Sequence, residues 1–81
     1  MRLDKFLKTS RIVKRRPVAN DLAEAGKVKV NGHVAKPGKK LAVGDIVEID
    51  YEEATVKFRV DALEKHVRKE DASELYTILT D

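Results

Sequence analysis

The 81-residue chain has no cysteine and no tryptophan, and its only aromatics are two phenylalanines and two tyrosines. Without cysteine there is no disulfide framework and no thiolate chemistry. His33 and His66 lie far apart in the sequence, which argues against a metal centre, and neither a metal nor a cofactor is expected. Long apolar runs are missing too. That excludes a helical membrane span or a secretory core and points to a cytoplasmic chain with no membrane partner. The four aromatics, Phe6, Tyr51, Phe58 and Tyr76, all fall at apolar-face positions, so they are expected in the core and not as a stacking platform for single-stranded nucleic acid. Ser10 and Ser73 have no evident base nearby, His33 sits beside a turn and His66 in a charged stretch. A chain this short can build a modest core but no catalytic domain with a separate substrate cavity. A single binding module is expected, and not an enzyme.

Charge is abundant and unevenly placed. Charged residues make up 38% of the chain, well above the usual quarter or so, with a net charge of +3. Residues 1–40 hold twelve cations against three acids, Asp4, Asp21 and Glu24, whereas residues 41–81 hold five cations against eleven acids. Such segregation points to a polyanion site on the N-terminal half, with the acidic half facing elsewhere. A basic, acid-poor N-terminus can also belong to a mitochondrial transit peptide. Here the basic stretch runs without a break into a helix whose apolar positions the core needs.

Leu3, Phe6 and Leu7 follow i, i+3, i+4 spacing and predict a helix over about residues 3–9, with Arg2, Lys5 and Lys8 as a basic ridge. Ser10 and its successors break it. A second helix is predicted from Arg15 or Arg16, with Pro17 in its first turn and Gly26 as its left-handed cap. Val18, Leu22 and Ala25 are its expected buried positions, and Ala19 and Ala23 are small enough for close approach by a neighbouring helix. In "KVKVNGHVAK", alternating valines around Asn31-Gly32 predict a hairpin with a type I′ turn. Strands follow at Ile46 to Tyr51 and Val56 to Val60. Ala72, Leu75, Tyr76 and Leu79 fit helical spacing, with Glu70 and Asp71 in the first turn, so a short C-terminal helix is expected; "YTILT" alone also reads as strand. The expected class is α+β: two short N-terminal helices packed on a small, mainly antiparallel sheet, with a short C-terminal helix. Residues 1–51 form the domain core, and residues 52–81 complete the same domain.

"IVKRRPVAND" begins a helix with three cations, Lys14, Arg15 and Arg16, where the helix dipole favours acids. A phosphate resolves the conflict, because helix-terminal N–H groups and guanidinium groups can converge on it. Pairing of Arg15 and Arg16 with Asp21 or Glu24 is the structural alternative. The second helix is too short, and its middle too poor in Arg, Asn and Gln, for reading the DNA major groove, which favours the shape-based recognition typical of folded RNA.

"RLDKFL", "KRRPVAND", "AGKVKVNGHVAKPGKKL" and "VGDIVEI", in this order over roughly residues 1–51, resemble the RNA-binding domain named after ribosomal protein S-four, the alpha-L motif. The opening "MRLDKFLKTSRIVKRR" and closing "ELYTIL" are similar to those of stand-alone bacterial ribosome-quality-control factors, related to heat-shock proteins that bind stalled large subunits. That resemblance implies binding to a 50S ribosomal subunit holding peptidyl-tRNA, with contacts to 23S rRNA and to the tRNA, and support for C-terminal alanine tailing by a partner of the NEMF type. It also implies RNA contacts at Arg2, Lys5, Lys8, Arg11, Lys14, Arg15, Arg16, Lys27, Lys29 and Asn31, the last of which the turn also needs for backbone reasons. A monomer is expected. Other functions compatible with the residues are an accessory module in ribosome assembly or RNA modification, and an adaptor whose acidic half, with Glu52, Glu53 and Glu64, restricts its orientation on the ribosome.

Overall fold

In the computed structural model, which describes residues 1–80, α1 (Leu3–Thr9) and α2 (Arg16–Glu24) precede β1 (Val28–Val30), β2 (His33–Val34), β3 (Ile46–Tyr51) and β4 (Ala54–Val60). A 3-10 helix, Lys69–Leu75, leads into β5 (Tyr76–Ile78). The five strands form one antiparallel sheet in the order β2-β1-β3-β4-β5. No helix among the described residues is long and apolar enough to cross a membrane.

Period-two alternation decides which sheet face meets the helices. Val28, Val30, Val47, Ile49, Phe58 and Val60 are buried on one face together with Leu3, Phe6 and Leu7 of α1. Phe58 lies at the centre of this layer. Its ring stacks on Phe6 at a centroid distance of 6.1 Å and meets Tyr76 edge-on at 5.7 Å, so one residue joins helix, central sheet and last strand. Aromatics therefore fill the core as expected, with both phenylalanines fully buried.

The Asn31-Gly32 turn follows the expected geometry: Val30 pairs with His33, and both turn residues have positive φ, 52° and 84°. Gly26, at φ 77°, takes the left-handed position after α2. Two expectations are corrected. On α2 the buried face is Ala19 and Ala23, with Leu22 partly covered, while Val18 is 47% exposed and Ala25 is also exposed. Small side chains bring α1 close enough that the alanine face, and not the valine face, turns inward. At the C-terminus the expected helix stops at Leu75 and is of the 3-10 type; Tyr76, Thr77 and Ile78 pair with Val60, Arg59 and Phe58. An aromatic and two β-branched residues beside an open strand edge favour pairing over another helical turn.

Candidate nucleic-acid interface

Three backbone contacts fix the start of α1 against the loop that follows the hairpin. The Leu3 and Asp4 amides donate to the Lys39 and Pro37 carbonyls at 2.8 and 3.1 Å, and the Leu41 amide donates to the Met1 carbonyl at 2.9 Å. Arg2 is the N-terminal cap residue of α1 and Asp4 lies in its first turn. Asp4 is 3% exposed, and a carboxylate buried that deeply is costly unless it is paired.

Asp4 is paired several times over. The Arg2 guanidinium donates to both carboxylate oxygens at 3.2 and 3.3 Å, and the Lys5 amide donates to Oδ1 at 2.8 Å. From α2, Arg16 approaches with its Nη2 at 3.4 Å from Oδ1 and its Nε at 3.3 Å from Oδ2. Burial pushes the Asp4 carboxyl up, but the Arg16 hydrogen bond and charge, the Lys5 amide and the Arg2 charge outweigh it. Its pKa therefore lies below the ordinary value of 3.8. The two arginine side chains stay 53% and 45% exposed, which leaves guanidinium edges facing solvent from two different helices. Fixed forks of this kind suit bidentate contact with phosphate.

The expected N-terminal anomaly of α2 is present. Arg15 caps the helix with no side-chain hydrogen bond, Pro17 follows, and the first turn holds no acid. Arg16 pairs with Asp4, twelve residues upstream, and not with Asp21 or Glu24; Glu24 lies 4.0 Å from Lys36. Asp4, Arg16, Pro17, Asn20 and Asp21 line a shallow groove at this helix junction. Lys14 and Arg15 are exposed, while Lys5 and Lys8 are half-buried.

The remaining candidates are placed elsewhere. Arg11 follows the end of α1 with φ 63°, a left-handed position that glycine usually holds, and its amide donates to the Lys8 carbonyl at 3.0 Å. Lys27 follows the end of α2, where its amide donates to the Leu22 carbonyl at 3.0 Å, and Lys29 projects from the outer sheet face opposite Glu48; both lysines line a concavity with Glu48, Asp50 and Thr55. Asn31 is engaged within the protein. Its Nδ2 donates to Asp45 at 3.1 Å and its Oδ1 accepts the Ile46 amide at 2.9 Å. Asn31→Ala is expected to cost about 1–2 kcal/mol of stability, a fall of roughly 5–10 °C in thermal midpoint by circular dichroism, without changing RNA affinity. A weakened RNA affinity at wild-type stability would instead make Asn31 a contact.

The organising role of Asp4 escaped the sequence reading. A signal was there: a lone acid between Arg2 and Lys5, on the same turn as the buried Leu3, is a candidate for burial and hence for pairing.

Comparison with known proteins places the chain in a family. The S4 domain model matches residues 1–47. An RQC P-site tRNA stabilizing factor of Listeria innocua is 48% identical over 79 residues, covering 98% of this chain and 86% of that protein. The structure of Vibrio cholerae heat shock protein 15 superimposes with a TM-score of 0.90 at 30% identity, covering 98% of this chain and 81% of that one. The solution structure of the hypothetical protein HP1423 gives 0.80 at 33% identity, covering 100% and 99%. The chain belongs to the S4 domain family, in the branch of small bacterial proteins named RQC P-site tRNA stabilizing factors.

Proposed function

We propose that the protein is a non-catalytic RNA-binding factor of ribosome-associated quality control, which binds 23S rRNA and peptidyl-tRNA on the 50S subunit and supports alanine tailing of the stalled chain by a NEMF-type partner. The observation that carries this reading is the pair of half-exposed arginines held around the buried Asp4 carboxylate. Relatives that match nearly the whole chain are named for stabilising a P-site tRNA. Arg2 and Arg16 present donors at fixed positions, and Lys14 and Arg15 add charge at their side. Such a surface reads the spacing of phosphates on a folded RNA and makes no use of base identity. Its contribution is to hold the tRNA and rRNA backbones together while another protein performs the chemistry.

The reading is tested by sedimenting the protein with purified 50S subunits that carry peptidyl-tRNA, over a series of salt concentrations. Arg16→Ala is expected to weaken binding about tenfold and to reduce the slope of log K against log salt by about 0.7–0.9, the contribution of one phosphate. Unchanged affinity and slope in an Arg2→Ala, Arg16→Ala double variant would refute the interface. Association only with assembling subunits that lack tRNA would keep the RNA-binding surface and overturn its role in quality control.

A further inference from the structure

The acidic C-terminal half contributes a cation and an imidazole of its own beside the end of α1. Lys65 and His66, from the loop between β4 and the 3-10 helix, line a groove together with Lys8, Thr9, Arg11 and Val67, and no carboxylate is among these lining residues. We propose that this groove is a second phosphate site for RNA, in which Lys8, Arg11, Lys65 and His66 hold one backbone phosphate and the Thr9 hydroxyl supplies a further donor. The proposal rests on the RNA-binding reading above and extends it to the opposite end of α1 from Arg2.

Three observations support it independently. First, the loop is anchored. Ala62, Leu63 and Val67 pack against the core on either side of Lys65 and His66, and the Asp61 and Ala62 amides both donate to the Leu75 carbonyl, at 2.8 and 3.2 Å. The Lys65 ammonium and the His66 imidazole are thus presented by an anchored segment. Second, the charges there are unanswered by acids. Lys57 and Arg59, also in the acidic half, meet Glu48 and Asp61 at 3.7 and 2.8 Å, whereas Lys8, Arg11 and Lys65 make no ion pair among the described residues. Cations gathered in one concavity repel each other, and the field they focus draws an anion. Third, Arg11 occupies a left-handed backbone position, at φ 63°, that glycine would hold with less strain. An arginine kept at a glycine position is the kind of local conflict found where function overrides stability.

The groove and the arginine pair make separable predictions when the full chain is titrated with purified 50S subunits across a salt series. Lys65→Gln with His66→Gln is expected to weaken binding about tenfold and to lower the salt slope by about 0.7–0.9, and Lys65→Arg is expected to restore both. Arg11→Gly is expected to melt at or above the wild-type temperature while binding less tightly, which separates lost contact from lost folding. If the Lys65, His66 double variant binds with wild-type affinity and slope while Arg16→Ala is still impaired, the groove holds no RNA phosphate and the main interface stands. If both variants bind as wild type does, groove and interface fall together. Loss of affinity in Arg11→Gly accompanied by a lower melting temperature would withdraw the third observation's support and count against the proposal.

Discussion

Replacing Asp4 with asparagine is expected to weaken 50S binding by tenfold or more, although it removes a negative charge from the surface proposed to bind RNA. Long-range electrostatics alone predicts the opposite sign, since one acid fewer makes the surface more attractive to phosphate. The difference lies in what the carboxylate does to its neighbours. It accepts from Arg2, Arg16 and the Lys5 amide together, and it holds the two arginines, from separate helices, in one arrangement. An asparagine keeps the shape but replaces one acceptor oxygen with an NH2 group that faces guanidinium donors, so at least one arginine is released. Arg16→Ala would remove one of the proposed phosphate contacts; Asp4→Asn would loosen two, and the ordering of long side chains would then have to be met at the moment of binding. Tighter binding by Asp4→Asn would show that charge, and not placement, governs the surface. Stability should fall as well, by about 2 kcal/mol for charged hydrogen bonds lost, or roughly 10 °C in a domain of this size. The pH dependence has a definite sign. Because the folded pKa of Asp4 lies below 3.8, its stabilising contribution is complete above that value and is lost as pH falls through the lower, folded one. The partly buried Asp61, lowered by hydrogen bonds from Thr77 and Arg59, acts in the same direction. Wild type should therefore lose stability on acidification below about pH 4 more steeply than Asp4→Asn does.

What the sequence could and could not show follows from the range of each physical cause. Turn chemistry and alternation are local: Asn31-Gly32, Gly26 and the valine pairs of β1 and β3 place their elements with no knowledge of the rest of the chain. The crowding of cations into residues 1–40 was equally readable. Choices made by packing were not. Whether Val18 or Ala19 turns inward depends on how closely α1 approaches, and whether Tyr76 continues a helix depends on β4 offering an open edge. The same limit applies to the interface. Asp4 and Arg16 are twelve residues apart and meet only because α1 and α2 pack together. Lys65 and His66 reach Lys8 and Arg11 through a loop whose course carries no periodic signal, so a charge count by halves assigned that surface to the acidic side. Lys27 and Lys29 show the converse, being basic in sequence yet set among Glu48 and Asp50 on the outer face of the sheet.

Phe58→Ala is expected to have the largest effect on stability of any single substitution considered. Truncation of a buried phenylalanine costs about 3–5 kcal/mol, and aromatic pairs add roughly 0.5–1.5 kcal/mol beyond area burial. A domain of this length has about 4–12 kcal/mol in all at the usual value per residue, so the loss takes between a quarter and the whole of it. Phe58 is placed to make the loss large: it is fully buried, stacks on Phe6 of α1 and meets Tyr76 of β5, and the cavity would open between three elements that cannot all close on it. Phe58→Leu keeps most of the volume and should cost well under half as much. Urea unfolding followed by circular dichroism separates the cases, with the midpoint for alanine far below that for leucine and the m-value unchanged. An alanine variant within about 1 kcal/mol of wild type would mean that the helix layer rests on the sheet through other contacts. The functional consequence is also determined. The rings that Phe58 meets are Phe6 and Tyr76, neither of them a candidate cation, so under conditions where Phe58→Ala is still folded its 50S binding should keep the wild-type salt slope. A changed slope in the folded variant would show that the arginine pair depends on how α1 is seated on the sheet, through the Phe6 ring one turn from Arg2.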